Sequence, residues 1–185
     1  MKLTLALDLY QGRSWPVIEF EQEVISAKEI TGTDKKTYTV VLDTNDHVTL
    51  RNVGKGQYET VLEDGKIVQD QRVIVTNMWA DDILLNKHLL KPYVTFFPVY
   101  HDSFYEYCKA NGMEIKHEQS TYDIYVNGTW KFEFHPDFWP WYQQLRLARD
   151  MEGIGDNDVE KYIGVFDQES KNMLGELKRN INGRK

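Results

Sequence analysis

Along the first 77 residues, apolar side chains recur at every second position in short runs. Leu3, Leu5, Leu7 and Leu9 alternate with Lys2, Thr4 and Asp8, the period of a strand with one buried face. Asp8 also breaks the apolar run early, so the start reads as a strand rather than a secretory leader. After a turn at Gln11-Gly12, further strands are predicted over 16–25, 37–42, 47–53, 58–62 and 67–76. Thr44-Asn45-Asp46 and Asp64-Gly65 each separate two of these runs as hairpin signals, because Asn, Asp and Gly tolerate the positive φ of a tight turn. Six short strands predict a small barrel or a twisted antiparallel sheet.

The pattern changes at Asn77. Ile83, Leu84, Leu85, Leu89 and Leu90 lie in a segment with Asp81 and Asp82 near its start and Lys87, His88 and Lys91 near its end, before Pro92. That arrangement predicts a helix over 80–90 that links two parts of the chain. A buried strand is predicted over 93–99, a helix over 102–110 stopped by Asn111-Gly112, and a strand over 113–117. Residues 122–126 and 129–134 read as a hairpin around Asn127-Gly128, followed by a helix over 139–151 with Pro140 near its start. Residues 156–166 and 168–181 are expected to supply one or two terminal helices. The fold class is α+β, with an all-β part over 1–77 and a mixed β-α-β-β-α part with C-terminal helices over 78–185.

Composition narrows the setting. With 41% hydrophobic and 13% aromatic residues among 185, the chain can bury a core. A single cysteine, Cys108, forbids an internal disulfide, and its place in an apolar helical segment predicts a buried, inert thiol. No run approaches the roughly 18 apolar residues of a membrane helix, and the expected location is the cytoplasm. The net charge of −7 comes from 22 basic and 29 acidic residues. Nine basic and 12 acidic residues precede Asn77, and 13 and 17 follow, so the acidity is spread along the chain. Bulk phosphate repels such a protein, which disfavours direct nucleic-acid binding.

Candidate chemistry concentrates after residue 100. His101-Asp102, His117-Glu118 and His135-Pro136-Asp137 each set an imidazole beside a carboxylate, the pairing that a metal-dependent hydrolase or nuclease would use. His101, Asp102, His117, His135 and Asp137 are the candidate catalytic residues on that reading. Their spacing matches no recognised ligand motif, and no cofactor is implied. There is no P-loop, no GxGxxG, no GxSxG and no CxxC.

Two further groups suggest binding rather than catalysis. Phe132, Phe134 and Trp130 share a strand face and are expected in the core. Trp139, Trp141 and Tyr142 cannot all point one way on a helix, so at least one is expected at the surface, available to a partner. Asp150, Glu152, Asp156, Asp158 and Glu160 put five carboxylates in eleven residues. Lys161 stands where a calcium loop starting at Asp156 needs glycine, so the group reads as an acidic patch suited to a basic protein surface.

In size, acidity, aromatic richness and features such as 139–142 and 150–160, the chain resembles the accessory proteins of Gram-positive phages and mobile elements. These include the anti-CRISPR inhibitors of Cas9. The resemblance implies a non-enzymatic protein that competes for a positively charged channel in a nucleic-acid-binding enzyme. A metal-dependent hydrolase and a sugar- or peptide-binding module are the alternatives.

Overall fold

The leucines of the first strand set the inward face of the larger sheet. In the computed structural model, β1 (Lys2–Tyr10) lies antiparallel between β4 (Lys35–Asp43) and β8 (Arg72–Ala80). Leu3 and Leu5 face Leu42 and Val40 on one side, and Ala80 and Met78 on the other, all buried. The ladder slips at Thr76, between the Ala6–Asn77 and Leu7–Val75 pairs. Inward positions of β8 therefore shift from Val73 and Val75 to Met78 and Ala80. An extra residue in a strand moves every later side chain to the opposite face. Without it, β8 could not keep its apolar residues inside at both ends. β3 (Val24–Thr31) extends this sheet beyond β4, while β9 (Ile83–Leu84) and β11 (Asp123–Ile124) pair with β8.

A second sheet has the order β10 (Val94–Val99), β12 (Asn127–Glu133), β5 (His47–Val53), β2 (Val17–Phe20). Val94 and Phe96 pair with Phe132 and Trp130, which pair in turn with Val48 and Leu50, and all six are buried. α1 (Lys87–Leu90) buries only Leu90 and α2 (Asp102–Ala110) only Cys108, so these helices cannot cover the two apolar sheet faces. Trp130 ties β12 to the residues just before β11, its indole N–H donating to Thr121 O at 3.0 Å. A third sheet, β6 (Thr60–Glu63) with β7 (Lys66–Asp70), pairs with neither of the others.

The described residues are 1–31, 35–56, 58–64 and 66–152, the last three without their side chains. Two compact units divide the chain, 1–138 and 139–185. α3 (Phe138–Glu152) is the described part of the second, apart from its first residue. The strand-rich α+β class, with antiparallel sheets and a helix after them, agrees with the expectation from the sequence. Among the described residues, no helix is long and apolar enough to cross a membrane.

Several local expectations are corrected. The helix predicted over 80–90 is instead the end of β8, a reversal at Asp81 and Asp82, β9, and the single turn α1. Asp81 and Asp82 take φ of 45° and 69°, so the acids that looked like a helix start make a turn. Asn86, whose side chain accepts from His88 N–H, caps the helix that does form. The division expected at Asn77 falls inside β8, and both sheets combine strands from either side of it. Thr44-Asn45-Asp46 carries the chain between sheets rather than closing a hairpin, and so does the segment between β2 and β3. Residues 113–117 form no strand.

Asn127-Gly128 is the most informative correction. β11 and β12 belong to different sheets, and both residues lie within β12. A Cβ on Gly128 would sit 2.3 Å from Phe97 O and 2.9 Å from the Phe96 ring. Glycine is needed there for close packing against β10, with φ at 151°. Asn127 meanwhile accepts from Lys55 N–H at 2.8 Å and donates to Lys55 O at 3.0 Å, supplying with its amide the two bonds of a strand partner.

Candidate binding cleft

Four chain segments of the first unit meet at one end of the smaller sheet. They are the residues after β5, the β6–β7 hairpin, the β11–β12 link, and the passage from β10 into α2. Between them lies a cleft of about 600 Å³ lined by residues that include Lys55, Asp70, Ile67, Val99, Phe104 and Tyr125. That volume suits a small molecule or a few residues of a peptide.

Lys55 makes the floor. Its ammonium donates to Asp70 Oδ1 at 2.6 Å, Gln71 O at 2.8 Å and Tyr125 O at 2.5 Å. An ammonium has three protons, and all three are used. Thr60 Oγ1 adds a 2.6 Å bond to the same Asp70 oxygen. With side-chain exposures of 9% for Lys55 and 18% for Asp70, the pair is a structural rivet between the hairpin base and the sheet link.

The wall facing the hairpin is aromatic. Tyr100 stacks on Phe104 at 4.6 Å between ring centroids, and Tyr105 meets Tyr100 edge-on at 6.1 Å. Gln119 donates to both Tyr100 Oη and Tyr125 Oη, at 3.1 Å and 2.8 Å. Gln119 is itself fixed to Phe96 by two backbone bonds. Burial, and then the hydrogen bond to Tyr125, push the Tyr100 phenol well above its ordinary pKa, so it stays neutral. On the hairpin side Leu62 stands opposite Ile67 across the ladder. Val99 and Ile67 are each 63% exposed, and Phe104 38%. Exposed apolar side chains gathered around a cleft mark a binding surface.

α2 begins at the cleft edge with His101 as its cap. The Nδ1 of His101 accepts from Ser103 N–H at 3.3 Å and lies 3.0 Å from Ser103 Oγ. This contact resembles a Ser–His pair, yet the nitrogen that would take the proton is already engaged by the backbone. Among the described residues no carboxylate hydrogen-bonds the other ring nitrogen to orient the imidazole, as the acid of a Ser-His-Asp triad does.

Of the residues singled out from sequence, only His101 lines the cleft. His101, Asp102, His117, His135 and Asp137 are all exposed. His135 Nδ1 accepts from Asp137 N–H at 3.0 Å, a second local turn contact. Among the described residues, no group of three His, Cys, Asp or Glu side chains is placed to hold a metal ion. Of the aromatic tract, Tyr142 is buried and meets Trp139 edge-on at 6.3 Å, while Trp139 and Trp141 are half-buried. Asp150 and Glu152 lie in α3 without described side chains, and Asp156, Asp158 and Glu160 lie outside the described residues.

Apart from His101, sequence reasoning missed the cleft residues. The available signal was Val61-Leu62 and Ile67-Val68, adjacent apolar pairs on both arms of a hairpin whose strands should alternate. No family model matches the chain, and no curated protein or solved structure matches it.

Proposed function

We propose that this protein is a non-enzymatic interaction module that engages a basic protein surface. One observation carries the reading: a cleft whose floor cation is saturated by hydrogen bonds and whose rim is exposed and apolar. Such a site offers shape and apolar surface for binding, and among the described residues no group of three His, Cys, Asp or Glu side chains is placed to hold a metal ion. The twisted antiparallel body serves as its rigid support. The chain's charge of −7 supports a basic partner, because complementary potentials speed encounter and exclude wrong partners. A nucleic-acid-binding enzyme is a partner of that character. Cas9 is the specific case drawn from the resemblance to phage accessory proteins.

The test is association of the intact protein with purified nucleic-acid-binding enzymes, Cas9 among them, measured by interferometry between low and high salt. The reading expects a complex that weakens at least tenfold over that range and also on charge reversal across Asp150, Glu152, Asp156, Asp158 and Glu160. Binding indifferent to salt and to those reversals would contradict it. The exposed Phe104 ring favours one second reading, a sugar- or peptide-binding site in the same cleft.

A further inference from the structure

We infer that a second pocket, between the β6–β7 hairpin and the end of β1, holds a lysine or arginine side chain of the basic partner. The inference rests on the interaction reading above and names one contact within it. The pocket has a volume of about 480 Å³, room for one long side chain. Three charged residues line it: Glu63, Asp70 and Arg72. Asp70 is held by Lys55 and by Thr60, each at 2.6 Å. Arg72 donates to Asp123 from both Nε and Nη2, and its guanidinium lies 5.8 Å from the centre of the Tyr10 ring. Glu63 has no ion-pair partner among the described residues. Lys66 stands directly across the ladder from Glu63, yet it forms no ion pair with it and lies outside the lining. With Asp70 and Arg72 each matched, Glu63 leaves the pocket one unmatched negative charge. Val61 shares the Glu63 face of β6 by the two-residue period, and it lines the pocket with Val68. A lysine or arginine uses both features, because its methylene stem lies on apolar surface while its charged head reaches a carboxylate. An acidic side chain would meet like charge at Glu63, and a wholly apolar one would take water from the carboxylate and give nothing back. The side-chain amide of Gln69 adds an acceptor for the N–H groups of an ammonium or guanidinium.

The probes are Nα-acetyl-lysine methylamide and its uncharged counterpart Nα-acetyl-norleucine methylamide. Each is titrated into the intact protein and followed by amide chemical shifts in nuclear magnetic resonance. The lysine probe should shift the amides of Tyr10, Glu63 and Gln69 saturably, and the norleucine probe should bind more weakly. Glu63 is exposed, so Glu63→Gln should fold normally. It should weaken the lysine probe by about fivefold, the size of one exposed charge contact. Lys66→Ala removes the neighbouring cation and should strengthen the same probe. Equal binding of the two probes, shifts confined to other segments, or indifference to Glu63→Gln would overturn the inference. Cadaverine bound far more tightly than the lysine probe would overturn it in favour of a free diamine. Salt-sensitive association with a basic enzyme that Glu63→Gln leaves unchanged would overturn it too, while the broader interaction reading would stand.

Discussion

Lys55 Nζ lies 2.6 Å from Asp70 Oδ1, and this contact joins a hairpin that pairs with no other strand to the body of the protein. The same ammonium reaches the carbonyls of Gln71 and Tyr125. Removing the cation strands a largely buried carboxylate and two carbonyls, which costs far more than the pair itself contributes. Lys55→Met should destabilise the protein by about 3 kcal/mol, measured by urea unfolding. The double variant Lys55→Met/Asp70→Leu should recover much of the loss. If the two single losses simply added, the contact would not be the rivet described.

Gly128→Ala should be among the most damaging small substitutions in the chain. The added methyl would meet Phe97 O at 2.3 Å, and backbone cannot yield as the end of a flexible side chain can. A loss of about 3 kcal/mol, or failure to fold, is expected. Gly112→Ala is the comparison, since φ there is 63° but the space around it is open. It should cost only about 1 kcal/mol of backbone strain. Equal thermal shifts for the two variants would show that Gly128 serves conformation rather than close packing.

Stability should fall at both ends of the pH scale for nameable reasons. Burial pushes the Glu59 carboxyl up, but hydrogen bonds from the Ser14 backbone and hydroxyl, with Arg13, outweigh it and leave the pKa lowered. That stabilisation is present above the ordinary carboxylate pKa and lost as pH falls through the lowered value. Glu59→Gln should therefore flatten the acid limb.

At the alkaline end, the hydrogen bond to Glu29 and then burial push Tyr38 up to about 12. The hydrogen bond to Asp8 and its charge raise Lys35. Both groups hold their protons more tightly when folded. Their contribution is intact below about pH 10 and disappears as pH climbs through the raised values. Tyr38→Phe and Lys35→Met should each flatten the loss seen in urea midpoints on the alkaline side.

The elements legible in the sequence were those fixed by local rules. α2 covers the expected residues because His101 and Asn111-Gly112 bracket it chemically. α3 and the leucine alternation of β1 likewise needed no distant information. Misread elements depended on partners far along the chain. Asn127-Gly128 has the composition of a hairpin turn, and only the approach of Phe96 and Phe97 makes it strand interior. Ile83 and Leu84 have helical neighbours in sequence but pair with Ala80 and Trp79 as a strand. The cleft was hidden for the same reason, because Lys55, Ile67, Val99 and Phe104 converge only after two sheets and a hairpin have formed. His101 drew attention as a possible ligand, when its nitrogen was needed to start α2.

Amide hydrogen exchange of the intact chain, alone and in complex with a basic nucleic-acid-binding enzyme that it is found to bind, tests the central claim most directly. Slowed exchange is predicted in the β6–β7 hairpin and from Val99 into the first turns of α2, while the edge strand β3 stays unchanged. Protection confined to other segments, with the hairpin and α2 unaffected, would contradict the assignment of the cleft as the binding surface.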